Sequence, residues 1–85
     1  MQDVEVFKAL SDPTRIKILE LIKNEEKCIC EIIPETGKSQ PNISQHFRVL
    51  RNANLIKQQK KGTNIWVAPM DYHIYSIIDQ VRRMH

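Results

Sequence analysis

The stretch GKSQPNISQHFRVLRNANL, residues 37–55, limits what this chain can fold into more than any other part of it. Gly37 can end a helix, because without a Cβ it enters the left-handed region freely. Ser39, two residues on, can cap the next helix. Ile43, Phe47 and Leu50 then follow at i, i+4 and i+7, which is one buried helical face. A helix, a short glycine turn and a second helix make a helix-turn-helix unit.

The flanking segments support that unit. Residues 3–10 carry Val4, Phe7 and Leu10 on one face and predict a first helix. In SDPTRIKILELIK, Asp12 can cap and Pro13 fits the first helical position, with Ile16, Leu19 and Ile22 as an inner stripe extended by Ile18 and Leu21. EEKCICEIIPETG predicts a third helix ending at Gly37, short or bent because Pro34 removes a backbone donor. After the capped helix, which runs to about Asn52, the period changes. Leu55 and Ile56, then Ile65, Trp66 and Val67, flank a polar tip with Gly62, the pattern of a β-hairpin, and Trp66 is expected in the core. Pro69 ends the second strand, and residues 71–84 return to helix with Asp71 as a cap and Ile74, Ile78 and Val81 as a stripe. The expected fold is mainly α with a small β-hairpin: a winged helix-turn-helix of five helices and a two-stranded wing. One domain covers 1–85, with the helix-turn-helix at about 28–52 and the wing at about 55–68.

Charge distribution narrows the function. Residues 1–35 hold five basic and eight acidic side chains, whereas residues 36–70 hold six basic ones and no acid. An acid-free basic window of this length is a footprint for a polyanion. With Ile43, Phe47 and Leu50 turned inward at 100° per residue, Pro41, Asn42, Gln45, Arg48 and Asn52 point away, and Gln40, Ser44 and His46 lie on the flanks. Amides pair with adenine edges, serine with several bases, and arginine with guanine or phosphate. The face therefore suits the major groove of double-stranded DNA, while Lys60, Lys61, Thr63 and Asn64 let the hairpin reach the backbone or minor groove. His46 has a second reading, as a packing residue at a helix–helix seam.

No apolar run exceeds four residues, so neither a membrane span nor a signal-peptide core is expected, and a cytoplasmic chain with Cys28 and Cys30 as thiols follows. A Gly-rich phosphate loop, a nucleophile motif and paired carboxylates beside a histidine are all missing, which argues against an enzyme.

ALSDPTRIKILELI, CICEI, SQPNISQHFRVLRNANLI and KKGTNIWV together resemble the successive signatures of the arsenic-repressor (ArsR/SmtB) family of winged-helix repressors. The resemblance runs over roughly residues 6–70 without a gap. It implies a homodimer that binds an inverted-repeat operator and leaves it when an inducer, often a metal ion or metalloid, binds. It places DNA recognition on Ser39, Gln40, Asn42, Ser44, Gln45 and His46, and dimerisation on the terminal helices 3–10 and 71–84.

The resemblance also puts Cys28-Ile29-Cys30 at the family's thiolate site, where a soft ion such as As(III), Sb(III), Cd, Pb or Zn would bind. The further cysteine of such sites is missing: Ile33 stands at one of its places, and residues 1–27 contain none. The alternatives are two small buried apolar residues or a redox or reactive-sulfur sensor, and cysteines this close in sequence are expected to form an internal disulfide poorly. Asp71 and His73 match half of a second family zinc site. Met84 stands where its later histidine belongs, so a cap and a surface histidine are expected there instead. A winged helix without effector, or one serving as a protein-interaction module, completes the alternatives.

Overall fold

The computed structural model describes residues 2–85. The chain runs α1 (Gln2–Ala9), α2 (Pro13–Leu21), β1 (Lys27–Cys28), α3 (Ile29–Thr36), α4 (Gln40–Asn52), β2 (Ile56–Lys61), β3 (Asn64–Pro69) and α5 (His73–Arg83). The five helices and the hairpin stand where the sequence places them. The sheet, however, has three antiparallel strands in the order β1-β3-β2 rather than two. The extra strand is two residues long, Lys27 opposite Val67 and Cys28 opposite Trp66, too short to show any period of its own.

Local chemistry explains most boundaries. Asp12 Oδ1 accepts from the backbone N–H groups of Thr14 at 2.7 Å and Arg15 at 3.3 Å, and Pro13 opens α2 without wasting a donor. Cys28 and Glu31 form a reciprocal capping box at α3: the Cys28 sulfur accepts from the Cys30 N–H, and Glu31 accepts from the Cys28 N–H. Gly37, at φ 69°, closes α3 in the left-handed region. α4 ends differently. Asn54 takes φ 58°, its N–H bonds the Arg51 carbonyl at 2.9 Å, and the Leu55 N–H reaches back to the Leu50 carbonyl at 3.0 Å. This paired closure satisfies two end carbonyls and turns Leu55 into the core beside Leu50. Gly62, at φ 64°, occupies the first position of the two-residue turn joining β2 and β3.

The core is one cluster holding Ile18, Leu19 and Ile22 of α2, Ile32 of α3, Ile43, Phe47 and Leu50 of α4, Ile56 and Val67 of the sheet, and Ile74 and Ile78 of α5. Two expectations need correction. Ile16 is only half-buried, so the inner stripe of α2 centres on Ile18, Leu19 and Ile22, because α3 and α4 cover that side of the helix. Trp66 is half-buried on the wing rather than central, since strand alternation turns Val67 inward in its place.

The Asp12 cap gives a first prediction. Partial burial opposes ionisation of Asp12, but the two N–H bonds and the His46 and Arg15 side chains outweigh it and hold its pKa below the ordinary 3.8. A carboxylate with a depressed folded pKa stabilises the fold above its unfolded pKa and ceases to do so as pH falls through the folded value. Asp12→Ala should therefore cost about 1 kcal/mol at neutral pH. In urea titrations the gap from wild type should narrow below about pH 4.

Candidate nucleic-acid interface

α4 is seated by its three buried residues, Ile43, Phe47 and Leu50, so its outer surface is set by helical geometry. Ser39 caps it, its hydroxyl accepting from the Asn42 N–H at 3.4 Å. Gln40, Asn42, Ser44, Gln45 and Arg48 are all exposed along one side. α4 and both wing strands themselves carry no acidic side chain, because the segment from 36 to 70 has none.

Beside α4, the wing projects Lys57, Lys60 and Thr63 into solvent. Lys61 is placed differently from Lys60. Its ammonium bonds Glu26, in the loop before β1, and lies 5.5 Å over the Trp66 ring. Arg51, which the sequence pattern did not single out, bridges α4 to the wing by donating to Gln58 Oε1 at 2.5 Å. Between α3, α4 and the wing lies a cleft of about 720 Å³, with Cys30, Ser44, Arg48, Arg51 and Asn64 on its walls. His46 stands apart from the other α4 polar residues. Its side chain is 14% exposed and turned to α2, with Nδ1 3.1 Å from Arg15 and 3.9 Å from Asp12.

Cys28 and Cys30 form a disulfide, contrary to the expectation from their spacing. Cys28 is extended, at φ −69° and ψ 143°, and the chain enters α3 immediately after it. That change of direction brings the two Cα atoms to 5.1 Å, inside the range a disulfide spans. Cys28 is buried and Cys30 is exposed at the cleft. The pair does not fit a soft metal ion in this form. Such ions take three or four donors, the two sulfurs are spent on each other, and the described residues contain no group of three His, Cys, Asp or Glu side chains able to hold a metal.

Asp71 and His73 are a surface pair. Asp71 Oδ1 takes the His73 backbone N–H at 2.9 Å and meets its Nδ1 at 2.7 Å. Asp71 thus serves the start of α5 from one residue further out than a standard cap. Its pKa is lowered, first by the His73 N–H bond and then by the His73 ring. Met84, at the place of the missing zinc ligand, is exposed.

The outer sides of α1 and α5 are apolar. Val4, Phe7, Tyr72, Ile77, Val81 and Met84 are exposed, Phe7 at 66% and Val81 at 50%. Val4 and Phe7 lie on α1, Ile77 and Val81 on α5, and Tyr72 and Met84 flank α5 at its two ends.

Comparison with known proteins agrees with this geometry. The family described as "Bacterial regulatory protein, arsR family" matches residues 12–58. The uncharacterized HTH-type transcriptional regulator MJ1325 of Methanocaldococcus jannaschii is 42% identical over 76 residues, covering 88% of this chain and 76% of that protein. A cadmium resistance transcriptional regulatory protein CadC homolog of Staphylococcus aureus is 33% identical over 81 residues, covering 94% of this chain and 67% of that one. Among solved structures, the homodimeric winged helix-turn-helix DNA-binding domain of Mb0332 from Mycobacterium bovis, described as a possible ArsR-family regulator, superposes with a TM-score of 0.88 at 23% identity over 99% of this chain and 81% of that one. The match takes in α2, α3, α4 and the start of β2, and on it the chain belongs to the arsR family of bacterial regulatory proteins.

Proposed function

We propose that this chain is a homodimeric transcriptional repressor, cytoplasmic and without catalytic activity, that seats α4 of each protomer in successive major grooves of an inverted-repeat operator. The observation that carries this reading is the exposed, acid-free row Gln40, Asn42, Ser44, Gln45 and Arg48 on a helix held rigidly by Ile43, Phe47 and Leu50. Ser39 starts the helix so that its first N–H groups face a phosphate. Lys60 and Thr63 on the wing reach the backbone. The apolar outer sides of α1 and α5 pair with their copies in the partner, which doubles the recognition surface and gives it the two-fold symmetry of the operator.

Base reading and backbone anchoring separate by mutation. Gln45→Ala should weaken binding to a duplex selected by the wild type by about 1–3 kcal/mol while leaving random duplex unchanged. Lys60→Ala should weaken both about equally, as a phosphate contact does. Fluorescence anisotropy on the two duplexes reads the difference, and equal losses for Gln45→Ala would remove its base-reading role.

The Cys28–Cys30 disulfide favours a thiol input over a metal. Two-electron reduction by a dithiol adds two protons and returns two thiols, freeing the sulfur that caps α3 and the one that lines the cleft beside Arg48. A change in duplex affinity of threefold or more between oxidised and reduced protein, lost in the Cys28→Ser, Cys30→Ser double variant, supports this input. The same affinity in both states removes it.

A further inference from the structure

Nothing in the spacing of Arg15 and His46 links them, yet the fold joins them directly. Arg15, in the first turn of α2, spends its guanidinium on three acceptors. Nε donates to the Ala9 carbonyl at 2.9 Å, one terminal nitrogen to the Lys8 carbonyl at 3.1 Å, and the other meets His46 Nδ1 at 3.1 Å. Both carbonyls belong to the last turn of α1, whose carbonyls have no partners within the helix. Arginine therefore clasps the end of α1 with one side of its fork and the recognition helix with the other.

The contact decides the state of the imidazole. A guanidinium has donors only, so Nδ1 of His46 must be the acceptor, and the neutral ring then carries its proton on Nε2. Asp12 does not compete for Nδ1: its oxygen is 3.9 Å away, beyond hydrogen-bond reach, and is engaged by the Thr14 and Arg15 N–H groups. Among the described residues, Nε2 has no partner in the protein, and no buried side-chain nitrogen or oxygen is left unbonded. Nε2 is therefore open to the surface. It is a donor held at a fixed angle on the flank of α4.

We propose that Arg15 is a positioning residue for DNA recognition, which clamps His46 Nδ1 against the end of α1 so that the His46 Nε2–H is presented to a backbone phosphate. This rests on the reading of α4 as the DNA-contacting helix. A phosphate is the fitting acceptor, because the ring lies on the flank of the helix rather than on its outward face, where contacts fix register. The arrangement also ties α1, whose outer side carries exposed Val4 and Phe7, to the orientation of a side chain on α4. Dimer packing and DNA contact thus share one guanidinium.

The test combines nitrogen-15 NMR of the imidazole with anisotropy on a duplex selected by the wild type from a random-sequence library. The variants are Arg15→Met, Arg15→Lys, His46→Ala and both Arg15 changes in the His46→Ala background. Lysine keeps the charge and one carbonyl bond but cannot fork onto the ring, so it retains more stability than methionine. Wild-type His46 should show the proton on Nε2, and the Arg15 variants a mixture of tautomers. Either Arg15 change should weaken binding about tenfold, the scale of one charge-assisted hydrogen bond, and less than twofold once His46 is alanine. Equal losses in both backgrounds, or a wild-type proton on Nδ1, overturn the proposal while leaving the DNA reading intact. A wild type that selects no duplex overturns both.

Discussion

Phe47→Ala should remove about 3–5 kcal/mol of stability, the cost of truncating a fully packed aromatic ring. Phe47 is 2% exposed and sits in the middle of the buried row of α4, in the cluster that also holds Ile18, Leu19 and Ile56. A domain of this size has a total stability of roughly 4–13 kcal/mol. The variant should therefore lose from about a quarter to all of that stability. Urea titration followed by circular dichroism measures this directly. Gln45→Ala, one helical half-turn away on the exposed side, should leave the midpoint unchanged. A loss below 1 kcal/mol for Phe47→Ala would mean that α4 does not rest on this core, and the outward row derived from that seating would fall with it. The contrast between neighbours matters because the same helix has a buried side that carries stability and an exposed side for which recognition is proposed.

Raising monovalent salt from 50 to 200 mM should weaken duplex binding by about three orders of magnitude. The basic side chains decide this size. On α4 and the wing, Arg48, Lys57 and Lys60 are exposed and have no acidic partner among the described residues, whereas Lys61 is engaged with Glu26 and Arg51 with Gln58. Three per protomer in a dimer neutralise about six phosphates, for a slope of log affinity against log salt near −5. Anisotropy at four salt concentrations gives the slope. A value near zero would favour the alternative of a protein-interaction module, since a dry protein interface does not release condensed counterions. Lys61→Ala should change the slope less than Lys60→Ala, because its ammonium already has a carboxylate.

The thiol pair shows how the reading of a site changes once partners are known. By the family resemblance, Cys28 and Cys30 stand at a thiolate position with too few ligands. In the fold Cys28 is simultaneously a strand residue opposite Trp66, the cap of α3 and one half of a disulfide. Each of these roles depends on backbone direction at a single residue, where the extended chain turns into helix. Sequence spacing does not carry that direction.

The amino-acid sequence by itself determined the features whose causes lie within one or two helical turns. Asp12 and Pro13 start α2, Ser39 starts α4, Gly37 ends α3, Gly62 turns the wing, and the interval between Ile43, Phe47 and Leu50 sets which side of α4 faces out. The fold class and the outward polar row of α4 followed from these, because capping and helical periodicity act between residues close along the chain. Tertiary structure alone decided the rest. The third strand exists only because β3 offers Lys27 and Cys28 an edge to pair with. Lys61 meets Glu26, the core side of α2 moves to Ile18, Leu19 and Ile22, and Trp66 leaves the core, each according to what packs against it from elsewhere in the chain. His46 turns from the outward polar row of α4 toward Arg15 for the same reason: hydrogen bonding and packing depend on distance in space, and only the folded chain brings the last turn of α1 and the start of α2 against the middle of α4.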